Sequence, residues 1–296
     1  MMAASHRWGT ISPRGRAMLP GLLIFLALVE VGLPLLLFLG RDRLIFLPSL
    51  HPLPEDGLLM IRGDAEVRLV RVPRPDGRLL AAYDAVPAGA AGAELPTVIF
   101  FHGNAGNIGS RAPLLEDFVV GTGARTLLFD YSGYGGNEGS PSEEEAYRDG
   151  LAVYDHVVAG GVPPERIVLY GESLGAAVAL EVASRRPCAG VLAQSPFSSV
   201  SSMALRVYPW IPLTALLARG TFPSIERVRE LRVPLVVAHG TRDRIIPFEE
   251  GKRLYEAAPP GAELIAVENA GHNDFFAVAG PSYLRKVGDR VRDWTG

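Results

Sequence analysis

A stretch in the middle of the chain, Val168 to Ala176 with the sequence VLYGESLGA, most constrains the fold. Its start, Ile167 to Tyr170, is apolar and β-prone, and an Ala-rich run of helical character follows from Ala176. Between them G-x-S-x-G predicts a sharp turn that lifts the Ser173 hydroxyl clear of the sheet edge, with glycines that allow close backbone approach. A chance match is the competing interpretation in a chain with 33 glycines. The flanking strand and helix argue against it.

Apolar strand candidates recur along the chain and alternate with stretches of helical period, such as Glu143 to Val158 and Ala176 to Arg185. The predicted strands are 66–72, 79–86, 97–101, 126–129, 167–170, 190–193, 235–238 and 263–267. The turn-rich Pro73 to Gly77 separates the first two, which predicts an antiparallel hairpin. The alternation predicts the α/β class, a mostly parallel sheet with helices on both faces.

Serine is a weak nucleophile, so Ser173 needs a base within hydrogen-bond reach and an acid that orients the base. Of the six histidines, only His272 follows the last predicted strand in a loop. Asp243 comes shortly after the preceding strand, so both side chains belong to the sheet edge where ligands bind. The order Ser173, Asp243, His272 is the chain order expected of this turn type. We predict these three as catalytic residues.

Three other carboxylates compete with Asp243 for the acid role. Asp130 follows its own strand but precedes the serine, which is the wrong order. Glu268 and Asp274 lie so near His272 in the sequence that shaping its loop is the better interpretation.

Acyl transfer also needs two N–H groups that stabilise an oxyanion. Leu174, directly after the serine, supplies the first, and we assign the second to Asn104 in the small-residue loop HGNAGN, residues 102–107. A tight turn without a catalytic role is the alternative for that loop.

No motif points to a cofactor or a metal. Residues 133–139, GYGGNEG, follow a strand as a dinucleotide loop would, but Glu138 stands at the third glycine position, so we interpret them as an active-site rim. A P-loop lysine motif, H-E-x-x-H and C-x-x-C are absent, and the single Cys188 excludes an internal disulfide. With a net charge of −3 and no basic stripe, nucleic acid is not expected as a partner.

The N-terminal part of the chain is different in character. Residues 1–18 are basic and polar and are predicted to be a flexible tail. Leu19 to Leu39 is apolar except for Glu30, and its 21 residues would form a helix of about 32 Å, the thickness of a bilayer's hydrocarbon core. We therefore predict a single transmembrane anchor over residues 19–40, followed by a Pro-rich connector over residues 41–62.

A cleaved signal peptide and a helix on the lipid surface are the alternatives to that anchor. Glu30 and Pro34 weigh against a simple span, while residues 40–43 lack the small-x-small cleavage site of a signal peptide. Arginines on both sides leave the orientation, and so the membrane side of the domain, open.

The remaining chain, residues 63–296, is predicted to be one domain. Within it, residues 198–223 are apolar and interrupted by proline. A short lid over an apolar site is our interpretation, with a longer connecting helix as the alternative.

Six motifs together resemble the α/β-hydrolase superfamily, and in particular its membrane-anchored single-pass serine hydrolases related to protein depalmitoylases. They are HGNAGN (102–107), DYSGYGGNEGSPSE (130–143), GESLG (171–175), SPFSS (195–199), HGTRDRIIP (239–247) and GHND (271–274). The resemblance runs from about Leu44 to the C-terminus. It implies an eight-stranded core sheet, a Ser173, Asp243 and His272 triad, and activity on esters or thioesters.

The expected function is that of a membrane-tethered serine hydrolase that cleaves an ester or thioester of a small or lipid-like acyl substrate without a cofactor. A serine peptidase on the same scaffold and a non-catalytic binding module are the alternatives. Chemistry with an aspartate nucleophile is disfavoured because Ser173 holds that position.

Overall fold

The computed structural model describes residues 20–21, 24–25, 28–49, 53, 59–62, 64–91, 95–207, 209, 218 and 220–296. The predicted basic tail, residues 1–18, lies outside these ranges, as do parts of the predicted anchor, connector and lid. Most of the predicted hydrolase domain is described.

The described ranges contain eleven strands, and nine of them form one sheet. The strands are β1 Leu47–Pro48, β2 Leu59–Arg62, β3 Ala65–Pro73, β4 Leu79–Pro87, β5 Thr97–Phe101, β6 Ala105–Gly106, β7 Arg125–Phe129, β8 Ile167–Glu172, β9 Gly190–Gln194, β10 Leu235–Gly240 and β11 Glu263–Val267. The nine strands of the large sheet lie in the order β11, β10, β9, β8, β5, β7, β4, β3, β2. The first six are parallel and the last three join antiparallel. β1 and β6 pair separately, in parallel.

Helices cover both faces of the sheet. They are α1 Leu33–Leu39, α2 Arg41–Ile45, α3 Ala112–Thr122, α4 Glu143–Ala159, α5 Leu174–Arg185, α6 Val200–Val207, α7 Ser224–Glu230, α8 Phe248–Ala257 and α9 Phe275–Thr295. One apolar core packs α4, α5, α7 and α8 on one face, and a second packs α3 and α9 on the other. Phe100 and Phe101 belong to different cores because successive strand side chains point to opposite faces. A strand buried on both faces therefore reads as an unbroken apolar run.

The predicted α/β class, the mostly parallel sheet and the antiparallel hairpin of β3 and β4 are confirmed. The implied count of eight strands is wrong, because β2 adds a ninth by pairing with the edge of β3. β2 lies in residues 59–62, at the end of the predicted connector. Its four residues, LMIR, are too few to show an alternating pattern.

The predicted anchor is described only in part. Its described portion contains a π-helical turn, Leu28–Gly32, which leads into α1. None of the helices in the described ranges is both long enough and apolar enough to cross a bilayer. Residues 19, 22–23 and 26–27 of the predicted span lie outside those ranges, and the anchor stays a prediction.

The second glycine of GESLG permits the contact between α5 and β5. A β carbon on Gly175 would lie 2.0 Å from the carbonyl oxygen of Phe101, a backbone atom that cannot rotate away. We expect Gly175→Ala to lower the free energy of unfolding by about 1 to 3 kcal/mol, as overpacked cores do, measured by urea unfolding. Gly32→Ala is the matched control, since Gly32 has φ −64° and would meet only Leu28, at 3.6 Å. An unchanged midpoint for Gly175→Ala would contradict the packing argument.

Candidate active site

Ser173 lies in a strained turn between β8 and α5. Its backbone has φ 53° and ψ −114°, a conformation that side chains with a β carbon rarely adopt. A hydrogen bond to the neighbouring strand holds the turn, because the Ser173 N–H donates to the carbonyl of Gln194 on β9 at 2.8 Å. A β carbon on Gly171 would lie 2.5 Å from the Gly175 carbonyl oxygen, so both glycines of the motif are required by close backbone contacts. The predicted strand, sharp turn and helix are all present.

Three loops bring Ser173, His272 and Asp243 together at the carboxyl ends of their strands. His272 Nε2 lies 3.1 Å from Ser173 Oγ, and His272 Nδ1 lies 2.6 Å from Asp243 Oδ2. Ser173 is 7% exposed and Asp243 is 6% exposed, so water has little access to these hydrogen bonds. This geometry allows the imidazole to accept the serine proton while the carboxylate fixes its tautomer.

Asp243 is held as a carboxylate by its surroundings. Burial alone would raise its pKa, but the neighbouring imidazoles of His239 and His272 outweigh burial and leave the pKa well below its usual range. The other carboxylate oxygen, Oδ1, accepts backbone N–H groups from Ile245 at 2.9 Å and Ile246 at 2.8 Å. His239 donates from Nε2 to the Ile246 carbonyl at 2.8 Å, and the same nitrogen lies 3.5 Å from Asp243 Oδ2. It is a supporting residue that sequence reasoning missed. Its position four residues before the aspartate was the available signal.

The loop after β5 starts beside Ser173, since Phe101 pairs in register with Gly171. Two of its carbonyls accept hydrogen bonds from tyrosines outside the loop. Tyr131 donates its hydroxyl to the carbonyl of His102 at 3.0 Å, and Tyr134 donates its hydroxyl to the carbonyl of Asn104 at 2.6 Å. Within the described ranges, the backbone N–H of Asn104 has no protein acceptor. The same holds for Leu174, in the first turn of α5, whose N–H groups have no intrahelical partner.

The chain just after α2 is bonded to this same loop. Leu47 N–H donates to the Asn104 carbonyl at 2.9 Å, and Asn104 Nδ2 donates to the Ile45 carbonyl at 2.9 Å. Between them Phe46 is 2% exposed and packs against Tyr134 and Phe222, with ring centroids 6.5 Å and 6.1 Å away. The connector thus forms part of the wall behind the loop.

The rival carboxylates occupy other places. Asp130 is fully buried and lies 3.2 Å from His102 Nε2, where it also accepts the Ile108 N–H at 3.0 Å. Asp274 accepts the Gly271 N–H at 2.6 Å, and Glu268 accepts the Thr241 hydroxyl at 3.3 Å. The last two therefore shape the histidine loop. Across the residues that the structure covers, no group of three or more His, Cys, Asp or Glu side chains could hold a metal.

A pocket of about 340 Å³ opens beside His272. Its polar wall contains Arg111, Glu172 and Asn273, and its apolar wall contains Phe275 and Phe276. Glu172 is the residue directly before the serine in GESLG, so the motif itself pointed to it, although sequence reasoning assigned it no role.

The predicted lid, residues 198–223, is described only at its two ends, because residues 208, 210–217 and 219 lie outside the described ranges. At the first end, the buried Glu250 accepts the N–H of Ser198 at 2.9 Å and the hydroxyl of Ser202 at 2.9 Å. At the other end, Glu143 accepts the N–H of the buried Phe222 at 2.7 Å. Both ends are therefore fixed to the domain.

Comparison with known proteins gives consistent matches. A family model described as Hydrolase_4, serine aminopeptidase S33, matches residues 93–226. The uncharacterized protein Rv2307c of Mycobacterium tuberculosis is 39% identical over 250 residues, which cover 84% of this chain and 86% of that protein. Alpha/beta hydrolase domain-containing protein 17C of Xenopus tropicalis is 39% identical over 197 residues, which cover 64% of this chain and 60% of that protein.

The chain belongs to the α/β-hydrolase superfamily. Solved structures agree on the fold of this hydrolase. An esterase of Pyrococcus furiosus superposes with a TM-score of 0.65 at 21% identity, covering 85% of this chain and 98% of the other. An acetyl xylan esterase from Paenibacillus sp. R4 gives 0.64 at 17% identity, covering 83% and 89%.

The lowered pKa of Asp243 makes part of the hydrolase's stability depend on pH. An unfolded aspartate has a pKa of about 4, so the charged side chain stabilises the fold above that pH, and the contribution is lost as the pH falls towards the folded pKa. We expect wild type to exceed Asp243→Asn in free energy of unfolding by more at pH 7 than at pH 3, by urea unfolding. Asp289→Asn, at an exposed ion pair with Arg292, is the control and should show little difference. Equal differences at both pH values for Asp243→Asn would contradict the assignment.

Proposed function

We propose that this chain is a membrane-tethered serine hydrolase that cleaves carboxylic ester or thioester bonds through an acyl-enzyme. One observation carries the proposal: Ser173, His272 and Asp243 form a continuous hydrogen-bonded series at the carboxyl edge of the sheet. Membership of the α/β-hydrolase superfamily supports the same reaction type.

In the proposed reaction Ser173 Oγ attacks the acyl carbonyl carbon while His272 Nε2 takes the serine proton. His272 then returns that proton to the oxygen or sulfur of the leaving group as its bond to the carbonyl carbon breaks. Water, activated by the same imidazole, releases the acyl group and restores the serine. Asp243 keeps the imidazole oriented and stabilises its charged form throughout.

The negative charge that develops on the carbonyl oxygen needs donors that are already in position. We assign this role to the backbone N–H groups of Asn104 and Leu174. The fixed carbonyls of residues 102 and 104 support the assignment, because they limit how far the Asn104 peptide can rotate.

For the substrate we propose an acyl ester or thioester. The solved structures with the same fold include esterases, and the predicted lid, residues 198–223, is apolar in sequence. Peptidase activity is the second candidate, favoured by the description of the matching family as serine aminopeptidase. The same three residues would then act on an amide.

The nucleophile assignment predicts the outcome of labelling. We expect Ser173→Ala to lose fluorophosphonate labelling and to lower ester hydrolysis by about 10⁴-fold or more, because the acyl-enzyme can no longer form. A p-nitrophenyl ester series of increasing chain length should give an optimum for wild type that sizes the acyl pocket.

Ser184→Ala is the matched control, because Ser184 is exposed and donates its hydroxyl to the Glu181 carbonyl within α5. It should label and hydrolyse as wild type does. Full esterase activity in Ser173→Ala would exclude the proposed mechanism. A folded wild type that does not label would favour the binding-module interpretation.

The proposed tether rests on the apolar composition of residues 19–39. We expect the full chain to stay in the membrane pellet after an alkaline carbonate wash, with residues 1–40 still present by intact mass. A peripheral helix would be released by the wash. A membrane-free product that starts after residue 40 would instead identify a cleaved signal peptide.

A further inference from the structure

The pocket beside His272 has a polar side whose chemistry the proposed reaction does not use. Glu172 and Arg111 form that side, with Glu172 Oε2 lying 3.8 Å from Arg111 Nε. This distance is too long for a hydrogen bond. Glu172 Oε2 is shielded from solvent and has no hydrogen-bond partner in the described part of the chain. Oε2 itself is closed to a ligand, but the Glu172 side chain as a whole is 23% exposed and lines the pocket, so its carboxylate can accept a hydrogen bond from a ligand there.

The position of the pocket identifies which half of a substrate it receives. His272 must give its proton to the leaving group, so the leaving atom lies within hydrogen-bond reach of His272 Nε2. His272 and Asn273 are both part of the pocket wall. A substrate held for that proton transfer therefore extends its leaving group along this wall, away from the acyl carbonyl.

The charges in the pocket limit the kind of group that fits. Glu172 and Arg111 have opposite charges and are mostly shielded, with side chains 23% and 14% exposed. Arg111 would repel a cation in the pocket, and Glu172 would repel an anion. A neutral group that both donates and accepts hydrogen bonds satisfies the two together, as a hydroxyl or a secondary amide can. Leu114, Phe275 and Phe276 would cover the carbon atoms of such a group.

We propose that Glu172 and Arg111 form a leaving-group subsite that selects esters or thioesters whose alcohol or thiol portion bears a neutral hydrogen-bond donor. The donor bonds to the Glu172 carboxylate, and the oxygen of the same group accepts from Arg111. This inference rests on the proposed function, since it assigns the substrate selectivity of the same site. A hydroxyl would indicate a polyol ester, and an amide would indicate a peptide-like thiol.

Paired substrates test the subsite in the full-length, detergent-solubilised protein. The hydroxyl pair is the 2,3-dihydroxypropyl and propyl esters of octanoic acid, and the amide pair is the octanoyl thioesters of N-acetylcysteamine and pentanethiol. We expect wild type to prefer the donor-bearing member of at least one pair by about tenfold or more in kcat/KM, as for a hydrogen bond to a charged group. The preferred pair identifies the source of the donor.

Glu172→Gln should reduce that preference by about tenfold, since a neutral amide replaces the charged acceptor. Glu249→Gln, at an exposed position in the first turn of α8, is the matched control and should keep the wild-type ratio. A folding defect lowers both members of a pair equally and leaves their ratio unchanged, and fluorophosphonate labelling reports the folded fraction independently.

A wild type that labels and hydrolyses both members of each pair equally would overturn the subsite and leave the proposed function intact. The same conclusion follows if Glu172→Gln labels normally and keeps the full preference. A folded wild type that neither labels nor hydrolyses any substrate would instead overturn the proposed function, and the subsite with it.

Discussion

The close approach of α5 to the sheet is the constraint on which the candidate site depends. Gly175 has no room for a β carbon because the Phe101 carbonyl lies against it, and Gly171 is pressed in the same way against the start of the helix. This contact keeps the intervening residue, Ser173, at a positive φ despite its side chain. Strain of this kind persists only where the surrounding structure imposes it. The hydroxyl therefore stands where neighbouring loops can reach it.

The parallel arrangement of the strands brings Asp243 and His272 to the same edge of the sheet as Ser173. β8 is followed by Ser173, β10 by Asp243 and β11 by His272, and the carboxyl ends of parallel strands lie along one edge. Each loop is short and is anchored by its own backbone hydrogen bonds, such as those that Asp243 accepts from Ile245 and Ile246. Residues separated by up to 99 positions in the chain thus meet within hydrogen-bond distance.

Much of this arrangement could be predicted from the sequence, because continuous apolar runs give buried strands and Gly-x-Ser-x-Gly gives the turn. β2 could not, since its four residues gain their pairing only from the exposed edge of β3. Glu172 was equally difficult, because its importance lies in sharing one pocket with Arg111 and His272, and only three-dimensional packing reveals that. The local sequence pattern predicts which strands and helices form. The burial of a polar side chain and its neighbours in a pocket are set only when those elements pack together.

The bonds between residues 45–49 and the loop after β5 have a mechanical consequence. Hydrogen bonds join Ile45 and Leu47 to Asn104, and Ser49 to Gly106. The chain that leaves α2 is therefore bonded to the loop beside the candidate active site before it enters the sheet. The mouth of the site consequently has a fixed position relative to the end of α2. If the segment before α2 is held in a lipid layer, as proposed, that layer limits the directions from which a substrate arrives. The attachment of the chain to the lipid layer would then also determine how a substrate approaches Ser173.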